Sequence, residues 1–298
     1  MIELNSDELT FSFPAVHPDA RLVMGFQRTL RLPCGESEMP RLPSLGRYPL
    51  YTVDSYAHRV PRHWLETGGA MLPMYQSEAM WLSFRPTFSV AHQAFYPFAV
   101  KVRIGGLDAV RGKRWTEGVH QWPQDFLVIN DHCWLGGYHN GGKGVQQFVA
   151  MPLGSGYLPE NGNSSPNRFG SLEIVVYPMH GGAFAMRYPS NAWSDRLPDL
   201  SLGVQSQLAG DRQHSGDPDA LQRQQIEEGL FPLEDWDRAP AGRYTLHLAN
   251  SLHWCAITGS PPPMAPPRVQ TDDQVTALDT SRMAAAAPFL GPLSEKAG

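Results

Sequence analysis

The chain has 298 residues with 24 Lys and Arg against 29 Asp and Glu, a formal net charge of -5. Gly (28) and Pro (27) exceed the roughly 12% of an average chain, while charged residues reach only 18% against about 25%. These figures exclude a coiled coil, a helical bundle and a mostly disordered chain, and favour many short strands joined by turns.

Residues 9–13 alternate, with Leu9, Phe11 and Phe13 on one side and Thr10 and Ser12 on the other, the pattern of a strand with one wet face. Residues 21–32 repeat it through Leu22, Met24 and Phe26, and Pro33-Cys34-Gly35 ends the run. A Pro-rich loop over 40–49 leads to a short strand at 48–53. Residues 61–67 read as a helix, with Pro61 at its start and Gly68 at its exit. Met80, Leu82 and Phe84 define the next strand. Residues 98–104 follow, with Phe98, Val100, Val102 and Ile104 inward and Lys101 and Arg103 outward. The apolar run 126–129 suits a buried central strand. After a Gly-rich turn at 136–144 come strands at 145–153 and 172–178.

Residues 181–216 form a polar excursion, and a helix is expected from Asp217-Pro218 to Gly229. The last strand spans 244–248. Asn250 caps a helix over 251–258, with Gly259 as its stop and Leu252, Cys255 and Ala256 on its inner face. The fold class is mainly β, a β-rich α+β chain. The expected architecture is a single-domain β-sandwich, or a partly closed antiparallel sheet, with a few short helices. The globular body covers 1–260, and the Pro/Ala-rich stretch 261–298 reads as an extended or disordered tail.

Three cysteines, Cys34, Cys133 and Cys255, form no C-x-x-C pair. Reduced thiols in a cytoplasmic protein are the simplest reading. Met1-Ile2-Glu3-Leu4 has no basic or apolar run, so no secretory signal is expected, and no stretch has the ~18 apolar residues of a membrane span. Arg111-Gly112-Lys113-Arg114 is too short a basic run for a nucleic-acid surface, so no nucleic-acid partner is expected.

Several phrases resemble a family of uncharacterised bacterial and fungal proteins. They are Phe26-Gln27-Arg28-Thr29-Leu30-Arg31, Met74-Tyr75-Gln76-Ser77-Glu78-Ala79-Met80-Trp81-Leu82 and Gln124-Asp125-Phe126-Leu127-Val128. The most specific is 147–157, Gln147-Phe148-Val149-Ala150-Met151-Pro152-Leu153-Gly154-Ser155-Gly156-Tyr157, followed by Ala249-Asn250-Ser251-Leu252 and Ala256-Ile257-Thr258-Gly259. The resemblance implies one domain and supplies no catalytic residues. The chain departs from the family at His132-Cys133-Trp134-Leu135-Gly136-Gly137, where relatives carry Gln-Pro-Trp-Leu-Asp-Gly, at Gly162 in place of Gln, and in the ending after Gly259.

Gln76, Glu78, Lys101, Asp125, Gln147 and Glu160 are polar groups set inside apolar phrases, a candidate acid–base site or a buried network that holds strand register. The aromatics Trp81, Trp115, Trp122, Trp134 and Tyr157 are expected mostly in the core, with Trp81, Trp134 and Tyr157 as the candidate pocket or interface aromatics. His132, Cys133 and His139, with His247 and His253 as distant partners, are the best metal-like set, against a wet turn as the plainer reading. Gly154-Ser155-Gly156 lacks the Lys and following helix of a phosphate loop and the flanks of a hydrolase elbow. No cofactor is expected. The leading expectation is a non-catalytic binding or assembly module contacting a protein partner, itself or a small ligand. The alternatives are an enzyme using Glu78, Lys101, Asp125 and Glu160, and a metal-binding protein.

Overall fold

The computed structural model describes residues 1–32, 44–140, 145–150, 170–190 and 229–267. Period-two alternation of large apolar side chains sets the strands, and two main sheets result. The first has five strands in the order β1 (Ile2–Asn5), β2 (Glu8–Ser12), β3 (Arg21–Leu30), β6 (Glu78–Pro86) and β12 (Cys133–Leu135), all antiparallel. The second runs β10 (Leu107–Asp108), β9 (Phe98–Ile104), β15 (Ser171–Pro178), β16 (Gly242–Asn250), β5 (Ala70–Met74), β4 (Tyr51–Thr52), and β11 (Leu127–Ile129) also pairs with β9. Two ribbons, β7 (Phe88–Ser89) with β8 (Ala94–Phe95) and β13 (Tyr138–His139) with β14 (Val145–Gln146), complete the strands.

The sheets stack through their apolar faces. Phe11, Met24, Phe26 and Phe84 of the first share one core with Val100, Val102, Ile174, Val176, Leu246 and Leu248 of the second. Gly242 lets the sheets close here, since a Cβ at that position would stand 2.8 Å from the Phe11 ring. The architecture is thus the expected β-rich sandwich. It is mixed rather than purely antiparallel, because β16 pairs with β5 in parallel. The run 126–129 forms an edge piece on β9 rather than a central strand, although Phe126 and Ile129 are buried.

The second sheet hides much of its outer face too. The helices α1 (Arg62–Thr67) and α3 (Ser251–Thr258) cover one end, where Trp64, Trp254 and Ile257 meet Met71 and Ala249 in a second apolar cluster. The Asn250 side chain accepts from the His253 amide, and Gly259 ends α3 with φ +77°, as expected. The inner face differs from expectation: Leu252 is 68% exposed and Cys255 is exposed, whereas Trp254 and Ile257 are buried. The cap starts the helix directly from β16 and so sets its phase, which turns the larger pair inward.

A third helix, α2 (Gly181–Arg187), occupies the start of the expected polar excursion and buries Phe184. The Asp217–Gly229 helix lies outside the described residues apart from Gly229, as does Cys34. Residues Met1–Pro267 form one compact unit. Residues 261–267, placed in the tail by composition, belong to it because Met264 and Ala265 carbonyls accept from Tyr75 Oη and Arg28 Nη2, both at 3.0 Å. Residues 268–298 lie outside the described residues. No helix among the described residues is long and apolar enough to cross a membrane.

The reversed face of α3 is directly testable. Trp254→Ala should cost about 3–5 kcal/mol, as for large core truncations, whereas Leu252→Ala should stay within about 0.5 kcal/mol. Urea denaturation monitored by circular dichroism reads both. Equal effects would mean that the helix does not dock through Trp254.

Candidate functional site

The expected polar residues separate into two networks. One closes the end of the sandwich. Register places Arg28 opposite Met80 and Leu30 opposite Glu78, so Arg28 and Glu78 lie on the core-facing side of the first sheet. Glu78 is fully buried. Its Oε1 accepts from Arg28 Nε at 2.9 Å and from Arg28 Nη2. Its Oε2 accepts from the Tyr75 amide at 3.0 Å and from Tyr48 Oη at 3.4 Å. Burial, and then the Glu78 charge, push the Tyr48 hydroxyl well above the usual phenol range. Gln147 joins this end, donating to Leu30 O at 3.1 Å and accepting from the Leu32 amide at 2.8 Å, as a strand neighbour would. Gln76 is exposed and contributes its carbonyl to Arg31.

The second network lies on the outer face of the second sheet. Lys101 alternates to that face as expected, yet it is completely buried rather than solvated. The loop 109–125 lies over it. Its ammonium donates to Thr116 O (2.8 Å), Gly118 O (2.6 Å) and Asp125 Oδ2 (2.7 Å). The Trp115 ring adds a cation–π contact at 4.6 Å. Asp125 also accepts from the His120 amide (2.8 Å), His120 Nδ1 (2.7 Å) and Thr116 Oγ1 (3.3 Å). The three ammonium hydrogens of Lys101 are thus engaged, and the pair acts as a latch for the loop. Asp108, close by, is pushed up to about 6, chiefly by burial.

Glu78 and the Lys101–Asp125 pair therefore belong to different sheets, and Glu160 and Tyr157 lie outside the described residues. Trp81 and Trp134 are half-buried on the outer face of the first sheet, where Trp134 faces Ser83 across the β12–β6 pair. Trp122 is 78% exposed rather than in the core. The proposed metal ligands stay apart: Cys133 pairs with Phe84 in β12, His139 with Val145 in β13, and His132 packs near the Phe95 ring. No group of three His, Cys, Asp or Glu able to hold a metal occurs among the described residues.

Between the latched loop and the α1/α3 cover, a polar strip of the second sheet stays open among the described residues. Register explains its composition. Glu173 faces Arg103 on β9 and Thr245 on β16, while Ser171 faces His247, which in turn faces Met71. These rows share the outer face. Arg103 pairs with Glu173, and Arg243 donates to Glu173 at 3.1 Å and to Glu117. The hydrogen bond from Arg243 holds Glu117 below the usual carboxylate range. A concave pocket of about 370 Å³ follows the strip, lined by Arg103, Ser171, Glu173, Arg243 and Thr245 with Thr67, Gly69, Gly105 and Tyr244. Gly69 carries φ +91°, and a Cβ there would strike Thr245 O at 2.0 Å.

His247 closes one end of the strip. Its ring stacks on Trp64 at 4.5 Å and 17°. Nε2 sits 3.0 Å from Gly68 O and 3.3 Å from Thr67 Oγ1, and Nδ1 sits 2.9 Å from Ser171 Oγ. Burial lowers the imidazole to about 4.

Comparison with protein-family models, curated proteins and solved structures finds no match for the chain. The reading of the site therefore rests on its own geometry. Arg103 was expected on the wet face and is there. Sequence spacing does not single out Ser171, Glu173, Arg243 and Thr245, and the signal that finds them is cross-strand pairing.

Two stability outcomes follow. Lys101→Met should cost about 3–5 kcal/mol, since it strands a buried Asp125 carboxylate, and Asp125→Leu combined with it should recover part of the loss. Chemical denaturation of the single and the double variant checks this. The pH outcome combines two signs. The depressed His247 binds its proton more tightly when unfolded, so its contribution is full above about 6.5 and is lost as pH falls to about 4, up to roughly 3 kcal/mol. Asp108 is raised when folded, so its penalty grows as pH rises from about 4 to 6. Stability curves of His247→Gln and Asp108→Asn over pH 4–7 should diverge from wild type in opposite directions.

Proposed function

We propose that the chain is a binding module whose ligand is a small polar molecule held on the outer face of the second sheet. The observation that supports this reading is the strip left open between two covers. Elsewhere that face is closed by indoles, by an apolar cluster or by a fully satisfied Lys–Asp pair. Here two arginines, a glutamate and four hydroxyl-bearing residues line one pocket of about 370 Å³. The volume fits the small-ligand range, and the groups stand on paired strands that hold their spacing. Arginines offer donors to an anionic group, and Glu173, Ser171 and Thr245 offer acceptors to hydroxyls or amines. We place the module in the cytoplasm, in keeping with three widely spaced cysteines that form no C-x-x-C pair. A nucleic-acid partner does not suit a net charge of -5.

A thermal-shift panel of carboxylates, phosphates, sugars and amino acids tests the reading. A compound present at about 100 times its Kd should add about 2.7 kcal/mol and raise the melting midpoint by several degrees. Arg103→Gln and Arg243→Gln should abolish that shift, and Arg243→Gln should cost the free protein about 1 kcal/mol or less, given its partly exposed pairs. A panel without any shift, or a shift that both variants retain, would rule the pocket out as the ligand site.

A further inference from the structure

We infer that Ser171 and His247 form a nucleophile–base pair, and that the pocket hydrolyses a small carboxylic ester. The inference rests on the binding reading above, because the ester must occupy the same pocket.

The hydrogen positions follow from the partners. Gly68 O is only an acceptor, so the Nε2 facing it at 3.0 Å carries the ring hydrogen. The Thr67 hydroxyl beside it is itself directed at His63 O at 3.0 Å, which leaves its oxygen as a second acceptor for Nε2–H. Nδ1 therefore presents a lone pair, and Ser171 Oγ, 2.9 Å away, donates to it. A serine hydroxyl aimed at an imidazole nitrogen, with the opposite nitrogen fixed by a third group, is the arrangement that activates a nucleophile. A backbone carbonyl here takes the orienting place that a carboxylate fills in the Ser-His-Asp triad. The Trp64 stack holds the ring plane. Ser171 is half-buried and lines the pocket, whereas His247 is buried behind it, which separates the group that meets the ligand from the group that takes its proton.

The remaining pocket groups suit the charge that would develop. Ser171 Oγ attacks the acyl carbon and its proton moves to His247 Nδ1. The acyl oxygen becomes negative in a pocket that also holds the guanidinium groups of Arg103 and Arg243. The C–O bond to the alcohol then breaks and the alcohol leaves with the proton from Nδ1. Water repeats the sequence on the acyl-serine, gives its proton to Nδ1, and releases the acid as Ser171 recovers its hydrogen. No oxidant, metal or further reactant enters. Burial keeps the ring neutral through the physiological range, which is the form a base requires.

A fluorophosphonate probe and p-nitrophenyl acetate, used on the full chain, test the pair. The expected result is one label on Ser171 by peptide mass mapping, no label in Ser171→Ala, and labelling slowed at least tenfold in His247→Gln. That Gln keeps a donor for Gly68 O and removes the Nδ1 base. Thermal melting confirms folding of each variant. Should His247→Gln fail to fold, the wild-type profile decides: labelling should persist from pH 8 to 5 and fall only towards pH 4, whereas a fall centred near 6.5 would exclude His247 as the base. Absence of label on Ser171 in the folded protein, or an unchanged rate in a folded His247→Gln, overturns the inference. A panel compound that binds while Ser171 stays unlabelled removes the ester chemistry alone; absence of both removes the binding reading as well.

Discussion

A lysine with no exposure to water sits in the middle of β9, and the layout of the second sheet follows from how that charge is satisfied. Strand alternation sends Lys101 to the face opposite the sandwich core, where an uncovered ammonium would simply be hydrated. Asp125, Thr116 O and Gly118 O instead bring a loop down over it. Desolvating two charges is expensive, and such pairs seldom add net stability over an apolar substitute. What the pair supplies is position. Three acceptors converging on one nitrogen leave the loop 109–125 little freedom to sit elsewhere. The same loop carries Trp115 and Glu117, which reach Arg103 and Arg243. One wall of the pocket is thereby tied to a charge in the strand beneath it.

The opposite wall obeys different physics. Trp64 and Trp254 bury large rings against Met71 and Ala249, so α1 and α3 are held by apolar area. His247 stands at the seam between the two regimes. Its ring face contacts Trp64, and its edge nitrogens reach a loop carbonyl and the pocket serine. A purely apolar residue at this place would pack on Trp64 but leave Gly68 O and Ser171 Oγ without their partner. The polar choice ties the apolar cover to the polar strip.

Much of the fold could be read from alternation alone. Phe98, Val100, Val102 and Ile104 announced β9, and Leu22, Met24 and Phe26 announced β3, because a half-buried strand needs apolar side chains at every second residue. Asn250 and Gly259 bounded α3 because a helix terminus needs a side-chain acceptor at one end and a left-handed residue at the other. The phase of α3 escaped this logic. Leu252, Cys255 and Ala256 share a helix face as well as Trp254 and Ile257 do, and only the sheet they meet distinguishes them. Lys101 escaped it as well: alternation gives the face but not whether a distant loop covers it.

The candidate site was legible only in part, for a reason that is geometric. Glu78, Lys101, Asp125 and Gln147 stand out because polar residues interrupt apolar phrases, and their contacts lie at a sandwich end, a loop latch and a strand edge. The groups that line the open pocket interrupt nothing. Ser171, Glu173, Arg243 and Thr245 occupy ordinary wet positions of amphipathic strands, where polar residues are expected. They acquire meaning only through register, which sets Ser171 beside His247 and Glu173 between Arg103 and Thr245. A one-residue slip of β16 against β15 would turn Arg243, Thr245 and His247 towards the core and Leu246 towards water. The apolar alternation that fixes register thus also assembles the pocket, and the side chains that define the fold decide which polar groups meet.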